Sequence, residues 1–124
     1  MDKPNIIRDK SYSFALKIIK LYQSLASRHE YVLSKQVLRS GTGIGANVEE
    51  ALAAQSRPDF HTKLTIAYKE ARETNYWLRL LSDSQIMSID YSSHLKDSEE
   101  IIRILNAITR KTKSARKSSV GLNS

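Results

Sequence analysis

Apolar residues recur every three or four positions along almost the whole of this 124-residue chain. An α-helix has 3.6 residues per turn, so this spacing gathers apolar side chains on one face of a helix. The two prolines, Pro4 and Pro58, do not interrupt the apolar pattern, and long helices are therefore allowed. No stretch alternates with a period of two for long enough to suggest a sheet. The chain is predicted to be all-α.

The apolar pattern divides into four segments separated by short connections. We predict helices at about 9–27, 31–55, 58–82 and 90–111, and short connections force neighbouring helices to run antiparallel. The predicted fold is an up-down-up-down four-helix bundle in residues 1–111. Ala15, Ile19 and Tyr22 are expected to widen the core stripe of the first helix. The main core positions, in chain order, are Phe14, Ile18, Leu21, Leu25, Leu33, Val37, Ile44, Val48, Leu52, Phe60, Leu64, Ala67, Ala71, Thr74, Leu78, Leu81, Leu95, Ile101, Ile102, Leu105 and Ile108.

Local signals mark two of the helix boundaries. Residues 28–30 have the composition of a turn between the first two helices. Pro58 breaks the second helix but is tolerated in the first turn of the third, because its missing N–H would have no partner there. Ser56 or Arg57 is therefore predicted to cap the third helix.

Positive charge is concentrated at the C-terminal end of the sequence. The net charge is +7, and residues 109–124 carry five basic residues and no acidic one, whereas the rest of the chain is nearly balanced. We predict a disordered basic tail at 112–124. The tail either contacts a polyanion or only increases solubility and complements the helix dipole. The candidate nucleic-acid contacts are Arg110, Lys111, Lys113, Arg116 and Lys117.

The composition excludes several classes of protein. The chain has no cysteine, which excludes a disulfide framework and any thiolate metal site and favours a reducing compartment. No stretch approaches the roughly 18 apolar residues of a membrane-spanning helix, and the N-terminal residues lack the apolar core of a signal peptide. We expect a soluble cytoplasmic protein without a membrane partner.

Three glycines lie within five residues of the second predicted helix, from Gly41 to Gly45. Glycine loops can bind phosphate, but the dinucleotide and P-loop motifs need a preceding strand or a following Lys-Ser/Thr, and neither is present. Each glycine costs a helix up to about 1 kcal/mol relative to alanine. Gly41 and Gly45 are one turn apart, so we predict that they allow close approach of another helix, with a local kink as a further possibility.

No pattern indicates catalysis, a cofactor or a metal. A di-iron bundle needs Glu-x-x-His on two helices, and no glutamate here precedes a histidine by three residues. His29, His61 and His94 fall near the predicted segment ends, where exposed histidines are ordinary. No nucleophile-elbow motif places a serine for acyl transfer. The sequence predicts no enzyme activity, no cofactor and no metal.

Polar residues of the second and third helices are candidates for an ordered interface. Glu70 and Glu73 can face Arg39 if these two helices are neighbours, although a solvated surface explains the same charges. Trp77 with Tyr76 is expected in the core or at a helix–helix interface, with a base-stacking platform as the alternative. The full set of predicted packing or assembly residues is Arg39, Gly41, Gly45, Asn47, Glu50, Glu70, Glu73 and Trp77.

These same segments resemble a known family of bacterial four-helix-bundle proteins. The segments are QVLRSGTGIGANVEE at 36–50, SRPDF at 56–60 and KEARETNYWLRLL at 69–81. They are similar to the proteins encoded within intervening sequences of 23S ribosomal RNA genes, also called the S23 family. The resemblance implies a ring-shaped homo-oligomer, typically a pentamer, and kinship with the accessory protein of diversity-generating retroelements, which works with nucleic acid. It implies no catalytic residue.

Two functions remain open from the sequence. The first is a non-enzymatic oligomeric scaffold that binds nucleic acid, most plausibly structured RNA, through a basic surface and the tail. The second is a protein–protein adaptor without a nucleic-acid role, in which the tail only increases solubility. Homo-oligomer formation is compatible with both.

Overall fold

Four α-helices joined by three short connections make up the fold. The structure is a computed structural model that describes residues 5–122, with side chains described over residues 5–113. The helices are α1 (Ile6–Ser27), α2 (Leu33–Leu52), α3 (Arg57–Ser84) and α4 (Ser92–Leu122). Residues 5–122 contain no strand, so the all-α prediction is confirmed.

The helices enclose one apolar core. Each helix packs against the next in the chain, and α1 also packs against α4, which closes a four-helix bundle. The fully enclosed positions are mostly aliphatic, as the sequence predicted, and each helix contributes to them. Buried core residues are Phe14, Ile18, Leu21, Leu25, Val37, Ile44, Val48, Leu64, Ala67, Ala71, Leu78, Leu81, Ile101 and Leu105.

Buried hydroxyl groups link the helices where the core is polar. The Thr74 hydroxyl of α3 donates to Ser40 Oγ of α2 at 2.8 Å, and Ser40 donates to the Gln36 carbonyl. Asn75 Nδ2 of α3 donates to Ser98 Oγ of α4 at 3.0 Å. A buried polar group without a partner would destabilise the fold. These hydrogen bonds therefore favour one alignment of α3 with its neighbouring helices α2 and α4.

Side-chain caps set the starts of the first three helices. Asn5 Oδ1 accepts from the Arg8 N–H, so α1 begins at Ile6, three residues before the predicted start. The Glu30 carboxylate accepts from three successive backbone N–H groups, which delays α2 to Leu33 instead of the predicted 31. Ser56 Oγ accepts from the Asp59 N–H at 3.1 Å and caps α3, as predicted.

The helix ends differ more from the prediction. α2 ends at Leu52, three residues early, and α3 continues to Ser84, where Gln85 adopts a left-handed conformation with φ 56°. α4 begins at Ser92 and continues to Leu122, so most of the predicted disordered tail is helical. That segment contains no proline, and its residues 115–117 are alanine, arginine and lysine, which favour continuation of the helix.

Two predicted core positions point to solvent. Ile19, expected to widen the core stripe of α1, is 39% exposed, and Leu52 of α2 is 43% exposed. Ala51 occupies the buried position at the end of α2. The apolar periodicity alone is compatible with either residue facing the core, since neighbouring positions differ by only about 100° around the helix.

The two glycines predicted to pack closely behave differently. A Cβ at Gly41 would lie 2.9 Å from two carbons of Ile18, so α1 occupies the space that a side chain would need. A Cβ at Gly45 would lie 3.5 Å from the Ser11 carbonyl oxygen, which is an ordinary contact. Close approach therefore requires glycine at Gly41 and not at Gly45.

Replacement of these two glycines by alanine is expected to have opposite effects. Gly41→Ala should lower the free energy of unfolding by about 1 kcal/mol, because overpacking of about 1–3 kcal/mol exceeds the gain in helix propensity of about 1 kcal/mol. Gly45→Ala should be neutral or stabilising by up to about 1 kcal/mol. Urea unfolding at one fixed protein concentration measures both. Equal effects of the two substitutions would contradict the packing difference.

The Glu30 cap should make stability depend on pH. Burial raises the pKa of Glu30, but the N–H groups of Leu33, Ser34 and Val32 together hold this pKa below its ordinary value of 4.5. The charged cap therefore stabilises above about pH 4.5 and is lost as the pH falls through the lowered value. Glu30→Ala should cost about 0.5–1 kcal/mol at pH 7 and less at pH 3. Thermal unfolding at both pH values measures this, with Glu49→Ala, an exposed carboxylate of the same helix, as control. A pH-independent cost would contradict the charge effect.

Candidate assembly and nucleic-acid surfaces

Arg39 of α2 forms a polar cluster with α3. Its Nη1 lies 3.4 Å from Glu70 Oε2, and its Nη2 pairs with Glu73 Oε2. The indole Nε1 of Trp77 donates to the same Glu73 oxygen at 3.0 Å. The sequence placed these residues on facing helices, and the structure brings them together. Because Arg39 remains 54% exposed, its ion pairs align the two helices more than they stabilise them.

The other polar residues predicted for the interface lie outside this cluster. Asn47 Nδ2 donates to the Gly43 carbonyl of its own helix at 2.8 Å, so within the subunit it does not bridge helices. Glu50 is exposed, with its carboxylate 3.8 Å from Lys63 Nζ of α3. Gly43 supports the cluster instead, since a Cβ there would lie 3.0 Å from Glu70 Oε2.

An apolar stripe on α1 faces solvent. Tyr12, Leu16 and Ile19 are 64%, 48% and 39% exposed, and their spacing of four and three places them on one side of the helix. We call these three residues the α1 apolar face. Thr42 and Ala46 of α2 border a shallow groove beside Tyr12. An exposed apolar stripe of this kind is typical of a contact surface.

A second apolar stripe lies on α3, next to the Arg39 cluster. Ile66 and Leu80 are 38% and 36% exposed, and Trp77 between them is half-buried. Fourteen residues separate Ile66 from Leu80, which is close to four full turns, so they share one side of α3. We call Ile66, Trp77 and Leu80 the α3 apolar face. It lies on a different seam of the bundle from the α1 apolar face.

Five basic side chains among residues 5–113 have an acidic partner, and twelve do not. Between α1 and α4, Lys10 pairs with Glu100, and Lys17 Nζ lies 2.7 Å from Asp97 Oδ2. Between α2 and α3, Arg39 pairs with Glu73, and Lys63 pairs with Glu50. On the outer side of α3 and α4, by contrast, six basic residues form no ion pair with any side chain of residues 5–113. We call them the cationic face; they are Arg72, Arg79, Lys96, Arg103, Arg110 and Lys113.

The helix register places these cations on one side of each helix. Arg72 and Arg79 are seven residues apart on α3, and Lys96, Arg103 and Arg110 follow the same spacing on α4, which keeps each set on one side. Two contacts align the helices, Asn75 with Ser98 and His61 with Thr112. Asp83 and Glu99 are the acidic residues on the same stripes.

The predicted tail contacts are only partly within the described side chains. Arg110, Lys111 and Lys113 are exposed on α4, and Arg110 and Lys113 belong to the cationic face. Lys111 is as far around α4 from the stripe of Lys96, Arg103 and Arg110 as Lys113 is, on its opposite edge. Arg116 and Lys117 are outside the residues whose side chains the structure describes.

The histidines are less exposed than predicted. His29 is exposed, but His61 is half-buried with Nδ1 2.6 Å from Thr112 Oγ1. His94 is also half-buried. Its pKa is lowered mainly by burial and, to a smaller extent, by the positive charge of the nearby Lys17. Thr112 of α4 contacts His61 of α3, and the Tyr91 ring, three residues earlier in the chain, lies against His94.

Over residues 5–113, no group of three His, Asp or Glu side chains could hold a metal ion. None of the described helices could span a membrane.

The two surfaces that stand out most were not predicted from the sequence. Ile19 was expected in the core, and Tyr12 and Leu16 were not singled out, although the apolar arc of α1 is wider than one core-facing stripe. The sequence left Arg72 open between a solvated surface and an ordered interface, and Arg79 was not singled out. The available signal was arginine three or four residues after tyrosine, at 68–72 and 76–79, a spacing that places both side chains together on a helix.

Comparison with known proteins connects this geometry to a family. The family model for the 23S rRNA-intervening sequence protein matches residues 3–107. A crystal structure of a protein of unknown function from the S23 ribosomal protein family of Bacteroides thetaiotaomicron is 51% identical, with a TM-score of 0.81. The match covers 86% of this chain and 96% of that one. No protein with a curated description matches. The chain belongs to the 23S rRNA-intervening sequence protein family.

Proposed function

We propose that this protein is a non-enzymatic scaffold that assembles with copies of itself and binds nucleic acid, most plausibly structured RNA. The single observation that carries the assembly is the α1 apolar face, which is exposed to water in one subunit. The cationic face and the basic end of α4 support nucleic-acid binding. The absence of cysteine supports the cytoplasm as its location.

Within each subunit we propose an antiparallel up-down-up-down arrangement of the helices. The order of contacts supports it. Gly41 of α2 approaches Ile18 of α1, whereas the later Gly45 approaches the earlier Ser11. Similarly, Asn75 contacts Ser98, whereas the earlier His61 contacts the later Thr112.

For the assembly we propose that the α1 apolar face of one subunit covers the α3 apolar face of the next. The two faces differ in sequence and lie on different seams, so their contact is head-to-tail, and such contacts close into a ring when the rotation allows it. Arg39, Glu73 and Trp77 would then border the interface. Five copies is the number that the family resemblance suggests.

For nucleic-acid binding we propose an electrostatic contact that does not read base sequence. Cations without acidic partners repel one another, and phosphates relieve this repulsion while their counterions are released. A ring would multiply the contact by presenting the cationic face of every subunit to one ligand. The alternative, a protein–protein adaptor, uses the same exposed apolar faces for a different protein partner.

The assembly is tested by a charge placed in the α1 apolar face. Leu16→Glu should convert a ring of several subunits into particles of 14.1 kDa, because a carboxylate cannot be buried unpaired in an apolar contact. Light scattering coupled to size exclusion measures the mass. Ala107→Glu, which adds the same charge at an exposed position of α4, should leave the mass unchanged.

Two results would contradict this assembly. A wild-type mass of 14.1 kDa would overturn self-assembly and favour the adaptor, since the apolar faces would need another partner. An assembled Leu16→Glu variant with intact helicity would show that the α1 apolar face is not the interface.

Nucleic-acid binding is tested by its dependence on salt. Fluorescence anisotropy with a labelled RNA hairpin and a DNA duplex should give affinities that fall by about 0.7–0.9 log units per phosphate contact for each tenfold rise in salt. A chain ending at Lys113 lacks Arg116 and Lys117 but keeps Thr112, the partner of His61. For this shortened chain, the fall in affinity for each tenfold rise in salt should be smaller by up to about 1.8 log units, because two phosphate contacts are removed. No binding at low salt would overturn the nucleic-acid role.

A further inference from the structure

Two arginines of α3 are held in place by tyrosines of the same helix. The Arg72 guanidinium lies 5.9 Å from the centre of the Tyr68 ring, and its Nη1 is 3.2 Å from the Tyr68 hydroxyl. The Arg79 guanidinium lies 5.8 Å from the Tyr76 ring centre, and its Nε donates to Asn75 Oδ1 at 3.0 Å. Both side chains are therefore ordered before any ligand arrives, which reduces the entropy lost on binding.

These hydrogen bonds leave donors free for a phosphate. Among the described side chains, Arg79 uses only Nε, so its two Nη groups remain available, and Arg72 keeps Nε and Nη2. A guanidinium with free donors on one edge matches the oxygens of a phosphate group. The ordering groups are neutral, so the positive charge is not compensated as it is in Arg39, which is paired with Glu70 and Glu73.

Arg72 and Arg79 lie beside the α3–α4 seam. They are three residues before and four residues after Asn75, which places both within about 60° of it around α3, and Asn75 contacts Ser98 of α4. Lys96 and Arg103 lie two residues before and five residues after Ser98, more than about 130° from it around α4, so they point to the outer side of that helix. Arg72 and Arg79 are about 10.5 Å apart along α3, from seven residues at 1.5 Å each. A strand lying along this seam would meet both arginines.

Tyr76 supplies an aromatic surface at the same place. It is 47% exposed, and its ring packs edge-on against Trp77, with centroids 5.1 Å apart. A partly exposed ring supported by a second aromatic can stack with a nucleobase, provided that the base is not already stacked in a duplex. A polyanion without bases, or an acidic protein segment, would use the cations but not this ring.

We propose that the cationic face binds single-stranded nucleic acid along the α3–α4 seam. Arg72 and Arg79 contact phosphates of the strand, and a base stacks on Tyr76. This inference rests on the proposed nucleic-acid function and adds the surface and the kind of ligand. Structured RNA then binds through its loops and unpaired ends, where bases are free to stack.

The test compares three variants of the full chain by fluorescence anisotropy with labelled oligouridine RNA, oligothymidine DNA and an RNA duplex. Arg72→Gln with Arg79→Gln should weaken single-strand binding about tenfold at low salt and reduce the salt dependence by about 1.4 log units per decade, equivalent to two phosphate contacts. Tyr76→Leu should weaken single-strand binding about fivefold and leave duplex binding unchanged. Lys20→Gln with Lys35→Gln removes two exposed charges elsewhere and should have little effect.

Each outcome decides between the proposals. Two results would show that the seam is not a single-strand site. One is an equal loss of binding in the Arg72→Gln, Arg79→Gln variant and in the Lys20→Gln, Lys35→Gln variant, and the other is an equal effect of Tyr76→Leu on duplex and single strands. In either case the proposed nucleic-acid function stands. If the wild type binds none of the three probes at low salt, the nucleic-acid function itself fails. Oligomer mass is measured for every variant, and a loss of single-strand binding at unchanged mass supports the proposal. Equal affinity for RNA and DNA strands is the expected result, because the named contacts do not involve the 2′-hydroxyl.

Discussion

The Ile18 side chain of α1 lies against the backbone of α2 at Gly41, where a Cβ atom would come within 2.9 Å. Because α1 approaches so closely on this side, α2 can face α3 with its other side, through Ser40 and Arg39. The remainder of the bundle depends on this close approach of α1 to α2. It fixes which stripe of α1 enters the core and leaves the α1 apolar face outside.

The distribution of charge follows from the same arrangement. Where α1 meets α4 and where α2 meets α3, acidic and basic side chains face each other, and their pairs reinforce one alignment of the helices. The α3–α4 seam is instead aligned by neutral hydrogen bonds, such as Asn75 to Ser98. The cations of α3 and α4 that have no acidic partner among the described side chains are therefore not needed to hold the fold together.

Part of the candidate site could be predicted from residue spacing. The contact of Arg39 with Glu70 and Glu73 follows once α2 and α3 are neighbours, and the need for glycine at Gly41 follows from the unfavourable glycine content of α2. The exposure of Leu16 could not be predicted, because a wide apolar arc on α1 has a core edge and a surface edge, and only packing decides which is which.

The sequence by itself determined the helical class, the number of helices and the cap at Ser56, because periodicity and capping act between residues close in the chain. Only the tertiary structure decided which cations are neutralised, since Lys17 and Asp97 are eighty residues apart, whereas Arg72 has no acidic partner among the described side chains. Ion pairing and exposure depend on distances between helices, and these distances are set by how side chains of all four helices fill one core.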